Sequence, residues 1–450
     1  MSHFDDDELA QYAFDPEGVP DREAIEAHLR ECPSCTSQLA FIRTIEDGLR
    51  DEEPWDIANS ISAGPDVSRL VELAGRVEAE DAEAEVLLAP LLESPLRFVW
   101  ADVSRKERYR SPGVVRALCR AALAACEKHP LHALDLANAA VSIAEELPVD
   151  LYPSRAVFGL RGMAWKDRAN ALRYLGRYGE ALVSLDEAVH AYQELKANAL
   201  ELAVVDFVRA TVLMSGDQFD EALFSVRRCE PVFREYREEV RYRHARLLEA
   251  SILFMKRDMR AARPILTDLF DLAERHADRM LTARAAHNLG LVELEMGELA
   301  KAGEHLSTAL GLYTALELAT EVIRTRWSLA RLAAARGDLD DALERFQAVR
   351  EEFRRQGIIV DEALVALDIA DLLLTMGDPV NARAIASELF GTFRKAGMMT
   401  SALTAIGFLN EAATQGRLTP RLVRHVRGFL ERVQRQPELL FAPPFDDGAS

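Results

Sequence analysis

Three residues near the amino terminus have the types and the spacing of a metal site. In EAHLRECPSC, His28, Cys32 and Cys35 follow the pattern H-x3-C-x2-C. The histidine stands one helical turn before the first cysteine, and the two cysteines flank Pro33-Ser34, which reads as a tight turn. One imidazole and two thiolates can then face a single tetrahedral ion, and Zn2+ takes this mixture of nitrogen and sulfur readily. A closed structural site needs a fourth ligand, and the only other histidine or cysteine in residues 1–100 is His3. Two other readings of these residues stay open. Cys32 and Cys35 can be a reduced pair at a helix start with His28 on a solvated face, or an exposed pair that oxidises and releases its metal.

The elements that position them are short. Residues 4–14 read as a helix closed by Asp15-Pro16-Glu17-Gly18-Val19-Pro20, and a second helix from Pro20 to Arg30 presents Ile25, His28 and Leu29 on one side. The stretch from His3 to about Leu49 resembles the zinc-finger, or zinc-binding anti-sigma, domain of bacterial regulators. Those domains run a Cys or His, an acidic E-L-x-x-Y helix, an acidic turn, H-x3-C-x2-C and a third helix. The counterparts are His3, Glu8-Leu9-Ala10-Gln11-Tyr12, Asp15-Pro16-Glu17-Gly18, His28/Cys32/Cys35 and Thr36–Leu49, with His3 where the family usually has Cys. The resemblance implies zinc held by His3, His28, Cys32 and Cys35. It also implies a surface that masks the polymerase- or DNA-contacting parts of a sigma factor.

Composition narrows the possibilities further. Hydrophobic content of 49% excludes wholesale disorder, and 7% aromatic residues among abundant Ala, Leu, Glu and Arg favours helix over sheet. Five cysteines in 450 residues indicate no disulfide framework, which favours a reducing cytoplasm. No run of eighteen apolar residues and no charged-then-apolar leader stands out, so no membrane association is expected. Residues 1–100 hold 24 acidic and 7 basic side chains, a net −17 of the chain's −20. Such a front repels nucleic acid and suits a basic protein partner, or else serves only as a solvated face.

The rest of the chain is organised by a repeat. Small residues fall at Ala169, Ala210, Ala250, Gly290, Ala330 and Ala370, and again at Ala181, Ala222, Ala262, Ala302, Ala342 and Ala382, at intervals of 41, 40, 40, 40 and 40 in both series. Spacings of this kind let two antiparallel helices touch backbone to backbone. The best copy has Trp165, Ala169, Leu172, Gly176, Tyr178, Ala181 and Ala188; others have Gly216/Phe219/Ala222, Gly297/Leu299/Ala302, Gly337/Leu339/Ala342 and Gly377/Ala382. These copies resemble the tetratricopeptide repeat, with a period of 40 rather than about 34, which implies longer helices or longer loops. The Gly-x-aromatic-x2-Ala signature sets them apart from HEAT and armadillo repeats.

The expected fold class is therefore all-α, a zinc-binding helical head followed by a right-handed α-solenoid of about seven to eight helix pairs. The expected division is 1–50 head, 51–66 acidic linker carrying Trp55, 67–155 helical region with a degenerate repeat, 156–396 six repeats, 397–434 capping pair and 435–450 disordered tail, in which Leu439–Phe445 could dock. Within 67–155, Val67–Val77 and Asp81–Leu92 read as a helical pair, and Cys119 and Cys126 as buried small hydrophobes.

No phosphate-binding glycine loop, G-x-S-x-G or H-E-x-x-H occurs in the array, which points away from an enzyme. Repeat arrays take peptides along the face formed by the first helix of each pair. By register that face includes Lys166, Asn170, Arg173, His287, Arg324, Trp327 and Arg331. Lys166 and Asn170 match the start of the carboxylate clamp of chaperone-binding tetratricopeptide domains, but Val208, His244 and Leu248 break the remainder. The residues thus suggest a cytoplasmic regulator whose head binds a sigma factor or similar basic protein while the array recruits a second protein or peptide. The alternative is a general interaction scaffold in which zinc is purely structural.

Overall fold

The computed structural model describes residues 12, 22–32, 35–36, 39, 67–92, 99–149, 152–195, 198–395, 400–433, 436 and 439–444. Among them every regular element is helical, and the chain falls into two compact units, Met1–Ala79 and Glu80–Ser450. His3, the linker 51–66 and most of the two flanking helices expected in the head lie outside the described residues.

In the first unit α1 (Arg22–Glu31) is the main described element. Ile25, on its inward side, packs with Tyr12, Cys35 and Leu39, and Leu29 and Cys32 complete the cluster. Glu26 accepts from Arg22 Nε at 2.7 Å and from the Tyr12 hydroxyl at 3.4 Å, which ties α1 to the segment before it. The next helix, α2 (Val67–Leu92), is continuous, where the sequence suggested a break near residue 79. Glu78-Ala79-Glu80 are strong helix formers with neither Gly nor Pro among them, so nothing stops the helix there.

In the second unit, α3 (Val99–Val103) buries Trp100 to 2% exposure, and a 3-10 turn spans Glu107–Tyr109. Eight helix pairs follow. They are α4 (Pro112–Ala125) with α5 (Pro130–Glu145), α6 (Ser154–Tyr174) with α7 (Tyr178–Gln193), α8 (Ala199–Ser215) with α9 (Phe219–Glu235), and α10 (Glu239–Met255) with α11 (Met259–Arg275). Then come α12 (Arg279–Glu295) with α13 (Leu299–Ala315), α14 (Ala319–Arg336) with α15 (Leu339–Gln356), α16 (Ile359–Thr375) with α17 (Pro379–Lys395), and α18 (Thr400–Thr414) with α19 (Pro420–Val433). Each helix packs on the next in sequence, as a linear array requires.

The two ladders of small residues are the seams of this packing. Ala169, Ala210, Ala250 and Ala330 on the first helices, and all six partners from Ala181 to Ala382 on the second, are 0% exposed. At Gly290 a Cβ would lie 2.6 Å from Leu306 Cγ and 3.2 Å from the Ala302 carbonyl, so the close approach there excludes a side chain. A third ladder, of aromatic residues, accompanies them. Tyr192, Phe233, Tyr313, Phe353 and Phe393 recur at the end of the second helices and are buried, filling the space that small residues leave.

The long period comes from the helices. Several are 17 residues long and are joined by links of three residues. In each link one residue adopts a left-handed conformation, and these residues recur every 20 positions: Asp217, Arg237, Arg257, Ala277, Gly297, Glu317, Gly337, Gly357 and Gly377. The following N–H reaches back to the last turn, as Asp258 N to Leu253 O and Glu298 N to Glu293 O, both 2.9 Å, so helix-end carbonyls are satisfied. The repeat alignment is corrected at one point. Gly216 has φ −88°, and Asp217 at φ 59° takes the position that Gly176 holds one repeat earlier.

In the tail, the stretch expected to be able to dock does so. Residues 435–450 have the Pro- and Asp-rich composition of a disordered segment, but Leu439 and Phe441 pack against the carboxy-terminal core. Phe441 meets Phe429 and Phe408 at ring distances of 5.0 and 5.6 Å, a gain in apolar burial that composition does not register.

Candidate metal cluster and repeat face

The donor atoms of His28, Cys32 and Cys35 all lie within 4.8 Å of one another. Helical backbone produces this convergence. Cys32 N donates to His28 O at 2.9 Å and Thr36 N to Cys32 O at 3.1 Å, so His28 and Cys32 stand one turn apart on a common side. The Thr36 hydroxyl bridges the junction, donating to Leu29 O at 2.7 Å and to Cys32 O at 2.9 Å. Cys35 is buried in the cluster with Ile25, and Cys32 and His28 lie partly exposed at its edge.

The donor set fits Zn2+. Bonds of about 2.0–2.3 Å to a tetrahedral ion place neighbouring donors about 3.5 Å apart, a separation compatible with three donors within 4.8 Å of one another. No disulfide joins Cys32 to Cys35. The three residues read from the sequence as ligands are thus brought together, and His3 lies outside the described residues.

The remaining cysteines are of another kind. Cys119, Cys126 and Cys229 are buried in the array, and loss of water raises their thiols, Cys126 to about 11 and Cys229 to about 12. They behave as small core residues, with little thiolate to react or bind metal.

All seven residues expected on the repeat face lie on first helices, α6, α12 and α14, but each is engaged within the array. Lys166 pairs with Asp167, and Arg173 Nε donates to Asn170 Oδ1 at 3.2 Å. Trp327 Nε1 donates to Asp368 Oδ2 at 2.7 Å, Arg331 reaches Glu295 at 3.3 Å, and Arg324 reaches Asp361 at 3.5 Å. His287 Nδ1 lies 3.0 Å from Thr325 Oγ1, and the ring meets Tyr313 edge-on at 6.3 Å. Burial, and then the Arg324 charge, pull its pKa down to about 4, so it is neutral at physiological pH. Thr325, Asp361, Asp368 and Glu295 stand 36–41 residues from His287, Arg324, Trp327 and Arg331, one repeat on or back, a spacing the sequence already holds.

What the same register offers instead is apolar. Val204, Phe207, Met214, Leu247 and Phe254, on α8 and α10, are half-buried side chains at the edge of the core. The missed signal was the absence of charge at positions where Lys166 and Arg324 stand in other repeats. On the opposite side, a cleft of about 840 Å3 opens between α7 and α9, with Leu182, Val189 and the exposed Phe224 in its walls. Two of its acids are already paired, Asp186 with Arg209 at 2.7 Å and Asp206 with Arg228 at 2.8 Å.

A tetratricopeptide repeat family model matches residues 281–355, which span α12 to α15. No curated protein matches the chain in sequence. Among solved structures it is similar to the apo form of RapI, at 17% identity over 62% of this chain and 98% of that one, with a TM-score of 0.47. Aspartyl phosphate phosphatase F from Bacillus subtilis is similar at 12% identity, over 78% of this chain and 98% of that one, with a TM-score of 0.48. The Rap conjugation gene regulator of the plasmid pLS20, in complex with the Phr* peptide, is similar at 13% identity, over 77% of this chain and 100% of that one, with a TM-score of 0.46. No helix among the described residues is long and apolar enough to cross a membrane.

Proposed function

We propose that this chain is a non-enzymatic regulatory protein with a zinc-held head and a protein-binding repeat array. His28, Cys32 and Cys35 would hold the ion, with His3 or a residue of the partner as the fourth ligand. The convergence of the three donors within 4.8 Å is the observation that carries this reading. When bound, zinc supplies a staple for a head whose described core is only a handful of side chains.

The head's partner is a basic protein surface, with a sigma factor the foremost candidate. The 24 acidic side chains of residues 1–100, 12 of them within the head, favour association with such a surface, and the head acts by covering what it binds. The array takes a second partner, a peptide or protein segment with apolar side chains that fit against Phe207, Leu247 and Phe254. Co-purification of the zinc-loaded protein with each sigma factor of its host tests the first partner. A complex retained by the intact chain and lost in Cys35→Ser supports the assignment. No complex with any of them, zinc being present, rejects the sigma-factor reading and leaves a scaffold with a structural metal.

A further inference from the structure

The end of the chain returns to the second repeat. Gln436 follows α19, and its main-chain N–H donates to Arg432 O at 2.8 Å, extending the last helical turn. Its side-chain Nε2 donates to the Gly216 carbonyl at 3.3 Å and to Asp217 Oδ2 at 3.1 Å, residues 220 and 219 positions earlier. These form the link between α8 and α9, where Asp217 holds its left-handed conformation.

Beyond Gln436 the segment is anchored a second time. Phe441 enters a cage of Phe408, His425 and Phe429, and His425 Nε2 lies 2.9 Å from the Ala442 carbonyl. Gln436 is thus held on one side by α19 and on the other by the Phe441 anchor, with its amide aimed at the α8–α9 link.

In a repeat array each unit contacts only its neighbours, so the ends are coupled through many small interfaces in series. A contact between the last helix and the second repeat adds a constraint of a different order, because it bridges all the intervening pairs at once. We propose that Gln436, with residues 439–444 as its anchor, is a latch that holds the last helix pair to the second repeat and limits how far the array can spread. The α8–α9 link follows Met214 of the apolar face directly, with Asp217 N donating to Met214 O at 3.2 Å, so the latch borders that face. The inference concerns the array itself and holds whatever its face binds.

The test uses the full chain. Gln436→Glu keeps the size of the side chain but sets a carboxylate against Asp217. Hydrogen exchange of the 213–220 amides should rise about five- to tenfold, the expected effect of losing two half-buried hydrogen bonds. The radius of gyration from small-angle scattering should increase, with the thermal midpoint unchanged. Asp217→Asn added to Gln436→Glu should restore the amide–carboxylate pairing and the slow exchange. Phe441→Ala, which frees the anchor and leaves Gln436 in place, should open the latch independently. Exchange at 213–220 and a radius of gyration identical to the parent in both Gln436→Glu and Phe441→Ala would overturn the proposal.

Discussion

In the head the described core consists of Tyr12, Ile25, Cys35 and Leu39, with Leu29 and Cys32 at its edge. The array instead spreads its cohesion over a succession of interfaces, each made of one small residue against another and one aromatic filling the end of the pair. A unit of the first kind fails when a single group is lost. A unit of the second kind yields by degrees, because each interface contributes a small share and its neighbours remain. Chemistry follows the same division, since the convergent donors are in the head and the polar residues expected on the array's face pair with its own side chains.

The sharpest way to break the comparison is to remove one donor. Cys35→Ser, and separately His28→Ala, should abolish stoichiometric zinc as measured by elemental analysis of the purified protein. The head should lose its ordered amide resonances with the metal, since a structural zinc site contributes on the order of 10 kcal/mol to folding. The array's thermal transition should stay where it is. Full zinc occupancy in both variants would show that these residues are not the ligands.

In the array a single buried imidazole makes stability depend on pH. His287 is held neutral with a pKa of about 4, against an ordinary value of 6.5. The unfolded chain takes up a proton near pH 6.5 that the folded array refuses until about pH 4, so protons favour unfolding in between. The stability is full above pH 6.5, falls as the pH drops, and levels off below pH 4. The loss amounts to about 3 kcal/mol at most. Urea unfolding of the array at pH 7.5 and pH 4.5 should show this fall in the parent and a much smaller one in His287→Gln. Equal falls in the two would place the pH sensitivity elsewhere.

Much of this division could be read in advance, for identifiable reasons. The Ala169 and Ala181 ladders were legible because close backbone approach tolerates little else, and the cluster at His28 because an i,i+4 spacing fixes a shared helical side. The apolar face was not legible through a search for charged groove residues. Arg324, Trp327 and Arg331 read as binding groups, but their partners Asp361, Asp368 and Glu295 come into reach only once repeats are stacked. The stretch around Phe441 reads as able to dock but not where, because composition averages over a segment while packing needs only one well-placed ring.

Two glycines sharpen the picture of the seams. Gly290→Ala forces a methyl against Leu306 and should cost about 1–3 kcal/mol in chemical denaturation, through displacement of α13 from α12. Gly311, on α13, has nothing within 4 Å of where its Cβ would be, and Gly311→Ala should stabilise by about 0.5–1 kcal/mol. Opposite signs at two helical glycines of one pair would confirm that contact, rather than composition, selects Gly290. A neutral Gly290→Ala would mean the helices separate at little cost.

The smallest effect belongs to the links. Ala277 and Gly337 occupy equivalent left-handed positions at φ 52° and 90°, yet only one has a Cβ to crowd the following carbonyl. An L-residue there carries strain of about 1–2 kcal/mol, part of which glycine returns as unfolded-chain entropy. Ala277→Gly should therefore raise stability by up to about 1 kcal/mol, and Gly337→Ala should lower it by a similar amount, read as shifts in the urea midpoint at constant slope. If Ala277→Gly destabilises instead, the left-handed link is not strained by its side chain. The regular 20-residue spacing would then have to be enforced by the helix ends, through bonds such as Asp278 N to Ala273 O at 2.9 Å, rather than by the residue at the bend.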